Sequence, residues 1–196
     1  MKALAVAGAG PARLVSNQVY LSLAERSAEY DIVPTALDQG LGLLIWSPLA
    51  GGLLSGKFRR DLPQPMGSRH SGGWPEPPVA DWEKLYDIVE ALTEIGSVHG
   101  VSAAQVALAW LVGRPAVASV VIGARTHAQL ADNLAAANLV LSSVENDRLE
   151  ALTRPPLIYP YWHQARYAVD RLGTPELSLI APYLRDPGAA NPSRPQ

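Results

Sequence analysis

The chain reads as an α/β protein with parallel strands, and three observations carry that reading. Short apolar runs alternate with segments of helical period along most of the sequence. The run LGLLIW at 41–46 is continuously apolar, as a strand covered by helices is. A third run ends in three β-branched residues, Val120, Val121 and Ile122, and turns at once into a helix within VVIGARTHAQLADNLAAA at 120–137.

Composition narrows the function classes. The 196 residues are enough for one domain with a real core. A net charge of −2 gives no reason to expect nucleic acid or an anionic membrane as partner. The absence of cysteine removes disulfides, thiolate catalysis and cysteine metal sites. The histidines at 70, 99, 127 and 163 have no metal-ligand spacing, so no metal is expected. No window approaches a transmembrane span.

Taken in order, the opening MKALAVAGAGPARL is the end of a helix that Gly8 and Gly10 terminate. Its apolar run is too short and alanine-rich for a secretory signal. It is not a dinucleotide fingerprint either, since the third glycine would fall on Arg13. Residues 14–20 are the first strand, with Gln18 near its C-terminal end, and 23–30 hold a single helical turn. Pro34 suits the first position of the next helix and Gly40 its end. The strand at 41–46 runs into SPLAGGLLSGK, a glycine- and serine-rich loop ending at Lys57. Residues 58–78 carry five prolines and no period, a loop length that is usually functional or disordered.

Trp82, Leu85, Tyr86, Val89, Leu92 and Ile95 recur at three and four, an amphipathic helix that Gly100 ends. Ser102 with Gln105 caps the next helix, whose face is Val106, Ala107, Trp110 and Leu111; Gly113-Arg114-Pro115 stops it before a strand at 119–122. Thr126 with Gln129 caps a helix over 127–137, placing Gln129, Asp132, Asn133 and Ala136 on one side and Leu130 and Leu134 in an apolar stripe. Ser142 with Glu145 caps a last helix through Leu152. From 153 to 196 the chain reads as an irregular tail rich in proline and aromatics, with YPYW at 159–162 able to pack on the body and the last ten residues disordered.

The turn at 123–126 is the chemically informative place. Arg125 sits beside a helix N-terminus, where a cation is unfavourable for the helix alone and a bound anion would offset it. A single arginine there is more often a solvated loop residue. Gly123, Gln129, Asp132 and Asn133 at this spacing move the reading towards a nucleotide phosphate.

Three strands fall short of a closed (β/α)8 barrel, which needs eight strands and about 250 residues. A three-stranded parallel sheet leaves edges and apolar faces unpaired. The expectation is therefore part of a larger fold, the remainder missing or supplied by another chain.

Four motifs in order, VSNQVYLSL, GLLIWSPLAGGLLSGK, HGVSAAQVALAWL and VVIGARTHAQLADN, resemble the aldo-keto reductases, in particular the bacterial and potassium-channel β-subunit-like branch. The resemblance covers residues 1–152 and implies the C-terminal part of a (β/α)8 TIM barrel, strands six to eight.

It also implies roles. Gln18 would bond the nicotinamide carboxamide, and Trp46 would stack on the ring; alone, Trp46 reads as core. Ser47, Pro48, Leu49, Ala50 and Gly51 would wrap the pyrophosphate through backbone N–H groups. Lys57, otherwise a solvated lysine, would add positive charge, and Arg69 would close the long loop over the cofactor. Gly123, Arg125, Gln129, Asp132 and Asn133 would form the adenosine end. Arg125 on a 2′-phosphate argues for NADPH over NADH.

The family's proton-donating tyrosine and its lysine, aspartate and histidine partners belong to the other half of the barrel, and no matching motif surrounds Tyr20, Tyr86 or His70. Leu21 stands where the family commonly has tyrosine. The implied function is NADPH-dependent reduction of a small-molecule carbonyl in a cytoplasmic enzyme, this chain being the cofactor half and inactive alone. A complementing N-terminal half, or self-association through the exposed edges, would complete it. Two other readings stay open: a non-catalytic nucleotide-binding or interaction module, and a truncation that does not fold alone.

Overall fold

In the computed structural model, which describes residues 13–68, 70 and 77–185, the sheet consists of β1 (Ser16–Tyr20), β2 (Gly42–Trp46) and β3 (Val117–Val120). All pairings are parallel and the order is β1-β2-β3. Val19 lies opposite Ile45, and both are buried with Leu43 against the helices. The alternation of strand side chains puts Gln18, Tyr20, Leu44 and Trp46 on the other face. That face is open among the described residues: Gln18 is exposed and Trp46 is 38% exposed. Parallel sheets are normally covered on both sides, so a sheet covered on one side has the form of a barrel wall segment seen from within.

One glycine in the sheet is required by close approach. Leu43 pairs with Val117 and Leu44 with Ser119, so Ala118 is an extra, bulged residue in β3. A Cβ on Gly42 would lie 2.8 Å from the Ala118 Cβ.

Helix α1 (Ile32–Gln39) returns the chain to β2 and ends on Gly40 in the left-handed conformation. After the long loop, α2 (Trp82–His99) starts from Asp81, whose carboxylate accepts the Lys84 N–H, and ends on left-handed Gly100. Its buried stripe includes Leu85, Val89, Leu92 and Ile95 as the spacing predicts, with Ile88 added. Helix α3 (Ala103–Val112) follows at 94°. The tight corner depends on Gly96, where a Cβ would stand 2.6 Å from the Val101 carbonyl oxygen. Residues 103–111 are buried on every side, so α3 is the centre of the helical layer. Helices α4 (His127–Ala135) and α5 (Ser143–Thr153) complete the body, α5 with a full Ser142–Glu145 capping box. No single described helix is long and apolar enough to cross a membrane; α2 and α3 pass that test only together, as a bent pair, and their apolar residues form the core.

Several expectations are corrected. The third strand is Val117–Val120, so Val121 and Ile122 belong to the exit loop, although Val121 N–H still bonds Ile45 O at 2.7 Å. It is also half-exposed rather than buried, because among the described residues it is an edge strand with a single covered face. Pro34 is the third helical residue, not the first; the missing N–H is harmless there as well, since the first turn has no internal acceptors.

Helix α4 lies the other way round from its hydrophobic pattern. Leu130 and Leu134 are 42% and 58% exposed, while Asn133 and Ala136 face the body. The cause is polar: Asp132 and Asn133 are bonded inward.

The segment after 153 is not irregular throughout. It forms α6 (Tyr161–Tyr167) and α7 (Thr174–Arg185), and α7 buries Leu179, Ile180 and Tyr183, packing on α1. Tyr161 of the YPYW cluster stacks on Tyr30 at 5.4 Å, while Tyr159 and Trp162 stay exposed. The expectations for residues 1–12, for Arg69 and for the last ten residues lie outside the described residues.

Candidate functional site

The C-terminal ends of the strands, with the loops that leave them, gather the candidate residues. In a barrel of this kind that end carries the chemistry. Tyr20 and Trp46 end β1 and β2 as register partners, and the tyrosine ring meets the indole edge-on, 4.7 Å between centroids at 81°. The contact fixes the indole plane and leaves part of its surface open. Gln18 sits two residues back on the same face. From sequence Tyr20 is weighed only as a proton donor and set aside, yet its place here is legible: two residues beyond Gln18 in a strand, it must share that face.

The loop after β2 is a chain of left-handed residues: Ser47 and Ala50 at φ 51°, Gly51 at 66°, Gly52 at 99° and Gly56 at 84°. Non-glycine residues there are strained, and such strain concentrates at ligand-binding turns. The loop curls back on itself. Ala50 N–H donates to Ser47 O at 2.9 Å and Gly51 N–H to Ser47 Oγ at 3.3 Å. Two of the N–H groups read from sequence as free for a pyrophosphate are thus engaged within the loop, and Pro48 has none. The Leu49 N–H has no acceptor among the described residues.

Lys57 closes this loop over Gly52, where a Cβ would come within 3.3 Å of its Nζ. Its ammonium also lies 5.8 Å from the Phe58 ring centroid. Partial desolvation, and next the positive charge of Arg125, hold Lys57 below the usual lysine pKa, although the side chain remains exposed. Neither cation has a carboxylate partner among the described residues. The β2 and β3 loops therefore bring two like charges together without neutralising them.

The remaining candidates divide into two groups. Gln129 and Asn133 brace the turn: Gln129 Oε1 accepts the Arg125 N–H at 2.9 Å, and Asn133 Nδ2 reaches Gly123 O at 3.5 Å. Thr126 Oγ1 accepts the Gln129 N–H at 3.2 Å, so this is half a capping box, with the glutamine side chain shifted one residue outward. Asp132 faces away, towards α3. Its carboxylate accepts Ser102 Oγ at 2.7 Å and Gln105 Nε2 at 2.6 Å, tying α4 to the start of α3. Ser102 and Gln105 read from sequence as a local cap only; the side-chain half of that box points to Asp132. No group of described histidines and carboxylates is placed to hold a metal.

Comparison with known proteins gives a consistent picture. The aldo/keto reductase family pattern matches residues 2–154. An uncharacterized oxidoreductase of Bacillus subtilis is 39% identical over 130 residues, covering 65% of this chain and 37% of that protein. A probable voltage-gated potassium channel subunit beta of Arabidopsis thaliana is 31% identical over 143 residues, 70% of this chain and 43% of its own length. An NADH-specific methylglyoxal reductase of Escherichia coli is 29% identical over 141 residues, 70% of this chain and 42% of its own. Among solved structures, a glycerol dehydrogenase from Gluconobacter oxydans superposes with a TM-score of 0.58 at 27% identity, over 74% of this chain and 45% of that one. The chain thus spans less than half the length of these relatives.

Proposed function

Because the chain belongs to the aldo/keto reductase family, with residues 2–154 as the matching region, we propose that it supplies the cofactor-holding part of an NADPH-dependent carbonyl reductase. The observation that carries this reading is the unneutralised pair Lys57 and Arg125 above the left-handed loop. A phosphorylated dinucleotide would meet both cations, and its binding would relieve their repulsion. The residues fit that group. Gln18 and the open surface of Trp46 would hold the nicotinamide, Leu49 N–H and Lys57 the phosphates, and Arg125 a 2′-phosphate through its planar fork. The bound cofactor would supply a hydride to a small carbonyl compound. Tyr20 fixes the stacking plane, and Gln129 and Asn133 hold the Arg125 turn in place.

No described side chain on this face is a tuned proton donor with the family's motif around it. The proton for the alcohol product would come from groups outside these 196 residues, in a complementing N-terminal half. The open sheet face and the outward leucines of α4 suit such a partner. We place the complete enzyme in the cytoplasm.

The test is a titration of the purified chain with NADPH and NADH, followed by tryptophan fluorescence. Saturable quenching by NADPH, weakened in Arg125→Ala, is the expected result. The methylglyoxal reductase relative, named for NADH, makes the comparison of the two cofactors decisive. Equal affinities would overturn the NADPH assignment. Retained NADPH binding without carbonyl reduction, even with a candidate N-terminal half added, would favour a nucleotide-binding module instead.

A further inference from the structure

We propose that the cleft between the body and α7 is a second ligand site, which takes a small oxyanion on Arg154. One wall is Arg26, Glu29, Arg114, Glu150 and Arg154; Ser178 and Leu179 of α7 face it. The cleft encloses about 190 Å³. That is below the roughly 300–1,000 Å³ of sites for drug-sized ligands and suits a phosphate or a small carboxylate.

The charges do not balance. Four of the five close on one another. Arg26 reaches Glu29 at 2.8 Å and Glu150 at 2.9 Å, and Arg114 reaches Glu150 at 2.6 Å and Glu29 at 3.3 Å. Each carboxylate meets two guanidinium groups, so neither repels an incoming anion strongly. The fifth charge, Arg154, has no carboxylate partner among the described residues, and its buried Nε has no hydrogen-bond acceptor. Its guanidinium lies over the Tyr183 ring, 5.2 Å from the centroid, and Tyr183 is anchored by donating to the Pro155 carbonyl. Stacking occupies a face of the guanidinium and leaves its N–H edge for an in-plane acceptor, the geometry of an oxyanion. Ser178 donates to Pro175 O at 2.6 Å, so its hydroxyl proton is not competing for the ligand.

Arg154 is also the last residue of the family match, and α7 lies beyond it. The anion would rest on the family body, with a segment outside the match as the opposite wall.

The test is thermal unfolding of the full chain in sodium phosphate, sodium acetate and sodium chloride at one ionic strength. At tenfold saturation, phosphate or acetate should raise Tm by roughly 3–5 °C over chloride. Arg154→Gln should lose that increment, and Arg125→Gln, in the nucleotide site, should keep it. A response to phosphate alone identifies a phosphoryl ligand, and a response to both identifies a general oxyanion site. Ser178→Glu keeps every arginine and places a carboxylate in the cleft; it should raise Tm in chloride and abolish the increment. No increment in the wild-type chain, or an increment that follows Arg125 rather than Arg154, would overturn the proposal and leave the cofactor reading untouched.

Discussion

Two places in this molecule bring cations together, and they are built oppositely. Arg26 and Arg114 flank Trp110, their guanidinium carbons 5.0 and 4.7 Å from its ring, and share Glu29 and Glu150 as counter-charges. Thr153 accepts one more Arg26 N–H at 2.8 Å. Lys57 and Arg125 have no counter-charge among the described residues, and the charge of Arg125 adds to the desolvation that lowers the lysine. The first arrangement is complete without a ligand and joins β1's exit loop to α3 and α5. The second is incomplete by construction. Charge that a fold closes on itself reads as structure, and charge that it concentrates and leaves open reads as a binding site.

The comparison breaks most visibly if Glu29 is neutralised. Glu29→Gln leaves Arg26, whose side chain is 3% exposed, short of a buried carboxylate. Removing one member of a buried pair costs on the order of 3–5 kcal/mol. Chemical denaturation should show a loss in that range. A loss under 1 kcal/mol would mean that the remaining Arg26–Glu150 contact suffices and that the quartet is not the structural unit described.

Arg125→Ala should do the reverse, weakening NADPH binding while sparing the fold. A charge-assisted contact of about 1.5–3 kcal/mol corresponds to a loss of roughly 10- to 150-fold in affinity. Stability should hold or rise slightly, because a repulsive neighbour of Lys57 is gone. A variant that unfolds instead would place Arg125 among the structural charges.

How much of this was legible in the sequence follows the same division. Up to Thr153 strand and helix positions were readable to within about two residues, because 3.6-residue periods and caps such as Ser142–Glu145 are local. The orientation of α4 was not. Hydrophobic periodicity points Leu130 and Leu134 inward, and only the long-range bonds of Asp132 to Ser102 and Gln105 reverse it. Helix α7 was hidden by Pro182, which argues against a helix interior; burial of Leu179, Ile180 and Tyr183 overrides it. Among the candidate residues, Arg125 was marked by its turn and Trp46 only by the family resemblance, while the Lys57–Arg125 proximity joins residues from separate loops and appears only in three dimensions.

Salt separates the two clusters further. Exposed charges are screened over about 8 Å at physiological ionic strength, and buried pairs much less. NADPH affinity should fall as sodium chloride rises from low to high concentration. The unfolding free energy assigned to the quartet, read as the wild-type minus Glu29→Gln difference, should stay nearly constant. A quartet difference that fades with salt in step with NADPH affinity would erase the distinction.

The smallest effect, and the sharpest, is protonic. In the free chain Lys57 sits below the usual lysine pKa because of partial desolvation and then Arg125. A lysine depressed in the folded state binds fewer protons than in the unfolded state, so stability rises with pH as Lys57 passes from charged to neutral, up to its unfolded value. Phosphates placed beside Lys57 push its pKa back up. Between the two values, binding must take up protons, and NADPH affinity must fall with rising pH. Calorimetric titrations in two alkaline buffers of different ionisation enthalpy measure that uptake directly. It should be a fraction of a proton in the wild-type chain and vanish in Lys57→Gln. Uptake that survives the substitution would assign the coupling to another group and remove Lys57 from the phosphate site.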